Sequence, residues 1–184
     1  MPARRTRQTI ASPQASSGAA TNQRSATRSE SNDEIVGDFI WDIASLNTHL
    51  EDIRRAWARL LGISGPQWLI LMAVDASNSP DGVSVGDVSE KLHVQPTFVT
   101  AQSKILERSG YLRRKGSVTD GRIVLMSLTD KARREIAKLS SQRKALNEFI
   151  FADLSIRSLR EITEKLALVR DRAKMAASRL ENES

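Results

Sequence analysis

Residues Val83 to Thr129 read VSVGDVSEKLHVQPTFVTAQSKILERSGYLRRKGSVTDGRIVLMSLT. Ser84, with Asp87 three residues on, has the pattern of a capping box that starts a helix. Val85, Val88 and Leu92 then recur at helical spacing and give that helix one apolar face. His93-Val94-Gln95 breaks it, and Pro96 suits the first position of a second helix, where its missing N–H costs nothing. Phe98, Val99, Ile105 and Leu106 mark the expected buried side of the second helix. Thr97, Thr100, Ala101, Lys104 and Arg108 fall on the other side, and Gly110 reads as a left-handed cap.

The period then changes. Tyr111-Leu112-Arg113-Arg114-Lys115 is a short segment with an apolar start and a basic end. Ile123 to Leu128 is apolar and β-branched and reads as the return strand, with turn chemistry over Gly116 to Gly121 between the two. Two helices joined by a tight break and followed by a hairpin with a basic tip make a winged helix–turn–helix. A helix of small polar residues fits the major groove of double-stranded DNA, where it can offer hydroxyl, amide and methyl groups to base edges. A basic wing can reach phosphates or the adjacent minor groove.

The run from Leu92 to Arg114, then Asp120-Gly121-Arg122, then Leu128-Thr129-Asp130-Lys131, resembles the MarR (multiple antibiotic resistance regulator) family. Ile63 to Leu71 (ISGPQWLIL) also resembles that family's second helix, and the resemblance extends over most of Asp33 to Leu180. It implies a homodimer whose terminal helices interdigitate, so that two recognition helices meet a palindromic operator with half-sites about 10 bp apart. It implies that Arg122 enters the minor groove, steadied by a salt bridge from Asp120. It further implies a small effector, an aromatic carboxylate or a related anion such as its thioester, bound between the dimerisation helices and the reader. In that family a basic residue commonly follows the threonine aligned with Thr100; Ala101 stands there here, and a methyl contact to thymine is the expected substitute.

Composition agrees with this reading. The chain has 184 residues, 40% of them hydrophobic, which allows one domain with a real core. The net charge of +6 suits a polyanionic partner. Residues 1–31 hold Arg4, Arg5, Arg7, Arg24 and Arg28 against Glu30 alone, so most of that excess is in the tail. Cysteine is absent, which excludes disulfides, zinc–thiolate sites and thiol redox switches. Two distant histidines, no Gly-rich phosphate loop and no Gly-x-Ser-x-Gly leave no expected metal, cofactor or catalytic site. No apolar run reaches membrane-spanning length, and a cytoplasmic protein is expected.

The resulting layout has four parts. Residues 1–31 read as a disordered basic tail, poor in large apolar side chains. Residues 32–62 read as a dimerisation helix capped by Ser31 or Asn32, about 30 residues and ~45 Å long. Residues 63–130 form the DNA-binding core. Residues 131–184 supply C-terminal helices, one capped by Thr129 and Asp130 and the last by Ser155; Leu159, Ile162, Leu166, Val169, Ala173, Ala176 and Leu180 form a coiled-coil-like seam. The expected fold class is mainly α with a small β wing.

Candidate DNA contacts are Ser84, Gln95, Pro96, Thr97, Thr100 and Lys104 on the helices, with Arg113, Arg114, Lys115, Asp120 and Arg122 on the wing. Candidate effector residues are Trp41, His49, Arg54 and Trp57 on the first helix and Trp68 and Met72 on the second. An indole can stack on an aromatic ligand, and arginine or histidine can hold its carboxylate; Trp57, Trp68 and Met72 lie on apolar stripes and also suit plain core. Two rival readings stay open, a ligand-independent architectural DNA binder and a helical protein-interaction module.

Overall fold

The computed structural model describes the backbone at residues 17–77 and 79–183, with side chains from Asn32 onward. Seven helices and three strands occur among the described residues: α1 Ser17–Leu60, α2 Gly65–Asp75, β1 Val83–Ser84, α3 Val85–Leu92, α4 Pro96–Arg108, β2 Leu112–Gly116, β3 Val124–Leu128, α5 Asp130–Lys138, α6 Ser140–Ile150 and α7 Ile156–Glu183. The chain divides into two compact units between Leu69 and Ile70.

The first unit is dominated by α1. The helix begins at Ser17, inside the stretch expected to be a disordered tail, so Ser31 and Asn32 lie within it and do not cap it. Residues 17–36 include three alanines, two arginines and two glutamates and contain no proline. Extending an existing helix through such a stretch adds one hydrogen bond per residue without a new nucleation cost. Residues 1–16 lie outside the described residues. The helix stops before Gly62, which takes a φ of +68°. Ser64 then opens α2 with Gln67: the Gln67 side chain accepts the Ser64 N–H at 3.0 Å, and Ser64 Oγ accepts the Gln67 N–H at 3.4 Å. That reciprocal pair satisfies donors that a bare helix start would leave open.

The second unit holds the helix–turn–helix and the sheet. The strand order is β1-β3-β2, antiparallel throughout. Leu112 faces Leu128 and Gly116 faces Val124 across the hairpin, while Val83 and Ser84 pair with Met126 and Leu125. The third strand, β1, was not expected, because two residues carry no readable alternation. Gly82 leads into it at φ +98°, and a Cβ there would lie 2.8 Å from the carbonyl oxygen of Met126. Gly82→Ala is therefore expected to destabilise the protein by about 1–3 kcal/mol through backbone strain and the clash. A urea unfolding midpoint unchanged from wild type would show that this seam is looser in solution.

The core of this unit is apolar and closed. Ile70, Leu71, Val88, Val99, Leu106, Leu112 and Met126 are almost fully buried. In α4 the buried line is Val99, Ser103 and Leu106. Phe98 and Ile105, expected on that buried side, are 38% and 37% exposed. The buried stripe follows steps of four and three from Val99, which leaves these two at its flanks. Ser103 tolerates full burial because its hydroxyl donates to the Thr100 carbonyl at 3.1 Å.

After β3, Thr129 caps α5 by accepting the Ala132 N–H at 3.1 Å, as its position suggests. The single helix expected next is two. The backbone at Leu139 (φ −90°, ψ −7°) separates α5 from α6, and Ser140 Oγ donates to the Ala137 carbonyl at 2.7 Å. A serine hydroxyl competing for a backbone acceptor favours such a break. Ser155 caps α7 by accepting the Ser158 N–H at 3.0 Å. No helix among the described residues is long and apolar enough to cross a membrane.

Candidate nucleic-acid interface

The α3–α4 joint is a short break with defined backbone geometry. His93 ends α3 in the left-handed region at φ 53°. Pro96 takes the first turn of α4, and Gln95 is the N-cap by its extended backbone, with no capping bond from its side chain. Pro96, Thr97, Thr100, Ala101, Lys104, Ile105 and Arg108 line one shallow depression along α4. The candidate face read from the sequence is thus gathered on one side of this helix, with Thr97, Ala101, Lys104 and Arg108 exposed and Thr100 half-buried. It offers hydroxyl, methyl, ammonium and guanidinium groups in a row.

Ser84 sits differently. Its hydroxyl accepts the Asp87 N–H at 3.0 Å, while its own N–H donates to the Asp87 carboxylate at 3.3 Å. The capping box is present, and it leaves the Ser84 O–H as a donor for a further partner.

The far end of α4 is held in two directions. Gly110, at φ +74°, forms the expected left-handed turn, with the Tyr111 N–H donating to the Leu106 carbonyl at 2.9 Å. Thr129 Oγ1 donates to the Gly110 carbonyl at 2.7 Å. Lys131 of α5 donates from Nζ to the Ser109 carbonyl at 2.9 Å and lies 4.2 Å from the centre of the Tyr111 ring. An ammonium group at a helix C-terminus complements the exposed carbonyls, and the ring face adds a cation–π attraction. Burial, then the Glu135 carboxylate, raises the Tyr111 phenol above its ordinary range. The Leu-Thr-x-Lys segment at residues 128–131 therefore ties the reader helix to α5.

The wing is a two-stranded ribbon with an ordered tip. Ser117 N–H donates to the Ile123 carbonyl at 2.8 Å, and the Ser117 and Thr119 hydroxyls lie 2.9 Å apart. Asp120 Oδ1 accepts the backbone N–H of Arg122 at 2.9 Å. Asp120 thus supports Arg122 through its backbone, which is a different link from the side-chain salt bridge that the resemblance implies. The Arg122 side chain is exposed.

The three consecutive basic residues separate by strand alternation. Arg113 and Lys115 are exposed, whereas the Arg114 side chain is 12% exposed and turned towards α4. Successive side chains of a strand point to opposite faces, so Arg114 follows buried Leu112 inward.

The four effector candidates on α1 point in different directions around that helix. At about 100° per residue, Trp41 and His49 lie about 80° apart, and Arg54 and Trp57 form a second pair about 60° apart on another side. Trp41 is 75% exposed, and Arg54 Nη2 donates to the Asn47 side chain at 3.5 Å. Trp57 is half-buried, Trp68 buried and Met72 half-buried, the last on the other side of the division between the two units.

Comparison with known proteins agrees with this architecture. Residues 61–123 match the MarR family. The chain is 29% identical over 91 residues to YdgJ of Bacillus subtilis, an uncharacterized HTH-type transcriptional regulator, in a match spanning 50% of this chain and 56% of that protein. The chain thus spans little more than half the length of that relative. It is 23% identical over 117 residues to the HTH-type transcriptional repressor MdtR of the same organism, covering 64% of this chain and 74% of MdtR. The crystal structure of a MarR transcriptional regulator from Methanosarcina mazei superposes with a TM-score of 0.59 at 21% identity, over 78% of this chain and 99% of that one.

Proposed function

We propose that this chain, whose residues 61–123 match the MarR family, is a homodimeric, sequence-specific regulator of transcription that binds a palindromic operator in double-stranded DNA. The observation that carries this reading is the polar face of α4 beside a wing whose outward side chains, Arg113, Lys115 and Arg122, are basic and exposed. Thr97, Thr100, Ala101 and Lys104, with Gln95 and Pro96 at the helix start, are the proposed groove contacts. The wing cations are the proposed phosphate and minor-groove contacts. The chain acts in the cytoplasm as a repressor, the role that MdtR has by name.

Dimerisation is proposed through the long terminal helices. Phe39, Ile40 and Leu46 on α1 and Ile162, Leu166 and Val169 on α7 are apolar and exposed in the single chain. An exposed apolar stripe on each of these helices is costly in water and is covered when a second copy packs on it. Release from DNA is proposed to follow binding of a small aromatic carboxylate or related anion near these helices, with Trp57 and Arg54 as a stacking and charge-pairing set.

The test is a binding titration against the DNA upstream of the protein's own gene at two salt concentrations, with and without a panel of aromatic carboxylates and their thioesters. Tight, salt-dependent binding that one compound abolishes is the expected result. Tight binding that no compound disturbs would remove the effector part of the proposal. Salt-insensitive or absent binding would remove the DNA part and favour a protein partner for the winged helix.

A further inference from the structure

Arg114 is the one guanidinium of the wing that is turned away from solvent. It belongs to β2, whose only strand neighbour among the described residues is β3, so among these residues the N–H groups on its other side have no sheet partner. Glu107, in the last turns of α4, fills that gap: its Oε1 accepts the backbone N–H of Arg114 at 3.2 Å. The second carboxylate oxygen, Oε2, lies 3.7 Å from Arg114 Nη1. The Glu107 side chain is 41% exposed and that of Arg114 12% exposed, and the buried Arg114 Nε has no hydrogen-bond partner. A guanidinium so enclosed is tolerated because an anion is beside it; without that anion the site holds an uncompensated charge. One carboxylate thus grips both the backbone and the side chain of a wing residue, and it does so from the recognition helix.

We propose that Glu107 and Arg114 are positioning residues, a brace that fixes the angle of the wing against α4 so that groove and wing contacts reach one DNA at the same time. This rests on the DNA-binding reading above. It assigns Arg114 a task other than phosphate contact, and it gives an acidic residue a favourable role in binding a polyanion. The sign of the effect separates the two assignments. If Arg114 touches phosphate, removing Glu107 frees the guanidinium and deletes a negative charge, so affinity stays the same or rises. If the pair is a brace, removing Glu107 lowers affinity although the protein becomes more positive.

The experiment compares wild type, Glu107→Ala, Arg122→Ala and the double variant in binding to one duplex at two salt concentrations. Glu107→Ala is expected to weaken binding about tenfold, the scale of one lost groove contact. Arg122→Ala is expected to cost about as much in wild type and less than about twofold in the Glu107→Ala background, because the wing is already displaced. Glu107→Gln, which keeps an acceptor for the backbone N–H and loses the charge, is expected between the two. Equal or tighter binding by Glu107→Ala, or an Arg122→Ala cost that is the same in both backgrounds, would overturn the brace. Amide hydrogen exchange at Arg114 provides a readout that needs no DNA: its N–H is expected to be protected in wild type and exposed in Glu107→Ala. Should wild type bind no duplex, the DNA reading falls by itself, and unchanged exchange at Arg114 would overturn the brace as well.

Discussion

Ala101→Glu is expected to lower affinity for every duplex by on the order of a hundredfold or more while leaving the fold intact. Ala101 is exposed in the middle of the polar face of α4, between Thr97 and Lys104 in the same depression. Glutamate is a good helix former, and an exposed substitution of this kind changes stability by only about 0.5 kcal/mol or less. On DNA the new carboxylate would stand against the phosphate-lined groove, and burying like charges face to face costs several kcal/mol. The loss should be general across sequences, because it arises from charge and precedes any base readout. Circular dichroism and a thermal melt establish that the variant is folded, and anisotropy titration measures the loss. A folded Ala101→Glu protein that binds as wild type would take α4 out of the groove. Ala101→Ser is the companion: it turns the methyl into a hydroxymethyl group and adds no charge, so its cost is expected to be small and to fall on thymine-containing positions.

That face of α4 was readable because helical spacing is long and its signals are redundant. Pro96 marks the start, Gly110 marks the end, and small polar residues recur between them at steps of three and four. The capping box at Ser84 was equally readable: its hydroxyl accepts the Asp87 N–H at 3.0 Å and keeps its own O–H for a further acceptor. The wing shows the opposite case. Arg113-Arg114-Lys115 invites a reading as one basic patch, although the strand's period of two separates its middle member from its neighbours. The signal was present in the buried leucine at 112. The acceptor on Glu107 was not, since nothing in the chain states that a residue of the preceding helix will face the sheet edge.

Length limited the reading elsewhere. Two residues of β1 carry no alternation, so the third strand emerges only from its pairing with Met126 and Leu125. The extension of α1 to Ser17 reverses the usual compositional argument. Residues 17–31 lack the apolar side chains needed to bury a face, yet they contain good helix formers joined to a helix already in place. The effector residues were chosen for chemistry alone, and the different directions of Trp41, His49, Arg54 and Trp57 around α1 show what a residue-type argument leaves out.

Leu166→Glu combined with Val169→Glu is expected to convert the proposed dimer into a monomer and to weaken binding to the proposed operator by on the order of 100- to 10,000-fold. The two residues lie three apart on α7, 38% and 45% exposed in the single chain, in line with Ile162. α7 has no buried residue of its own, although its apolar positions recur along most of its 28 residues. A helix with that pattern gains most of its stability from a covering surface, since propensity alone gives little. Two carboxylates placed in the seam would need desolvation without a partner, which disfavours packing of the second copy. The link to DNA is multivalency: a dimer holds its second reader close to the second half-site, whereas a monomer must bind each half-site independently. Sedimentation would report the change of state, and titration against a full operator and an isolated half-site would report its consequence. The variant is expected to bind both duplexes with similar weak affinity. A variant that sediments as a dimer and keeps its preference for the full operator would place the subunit contact on surfaces other than α7, with the exposed stripe of α1 as the next to be charged.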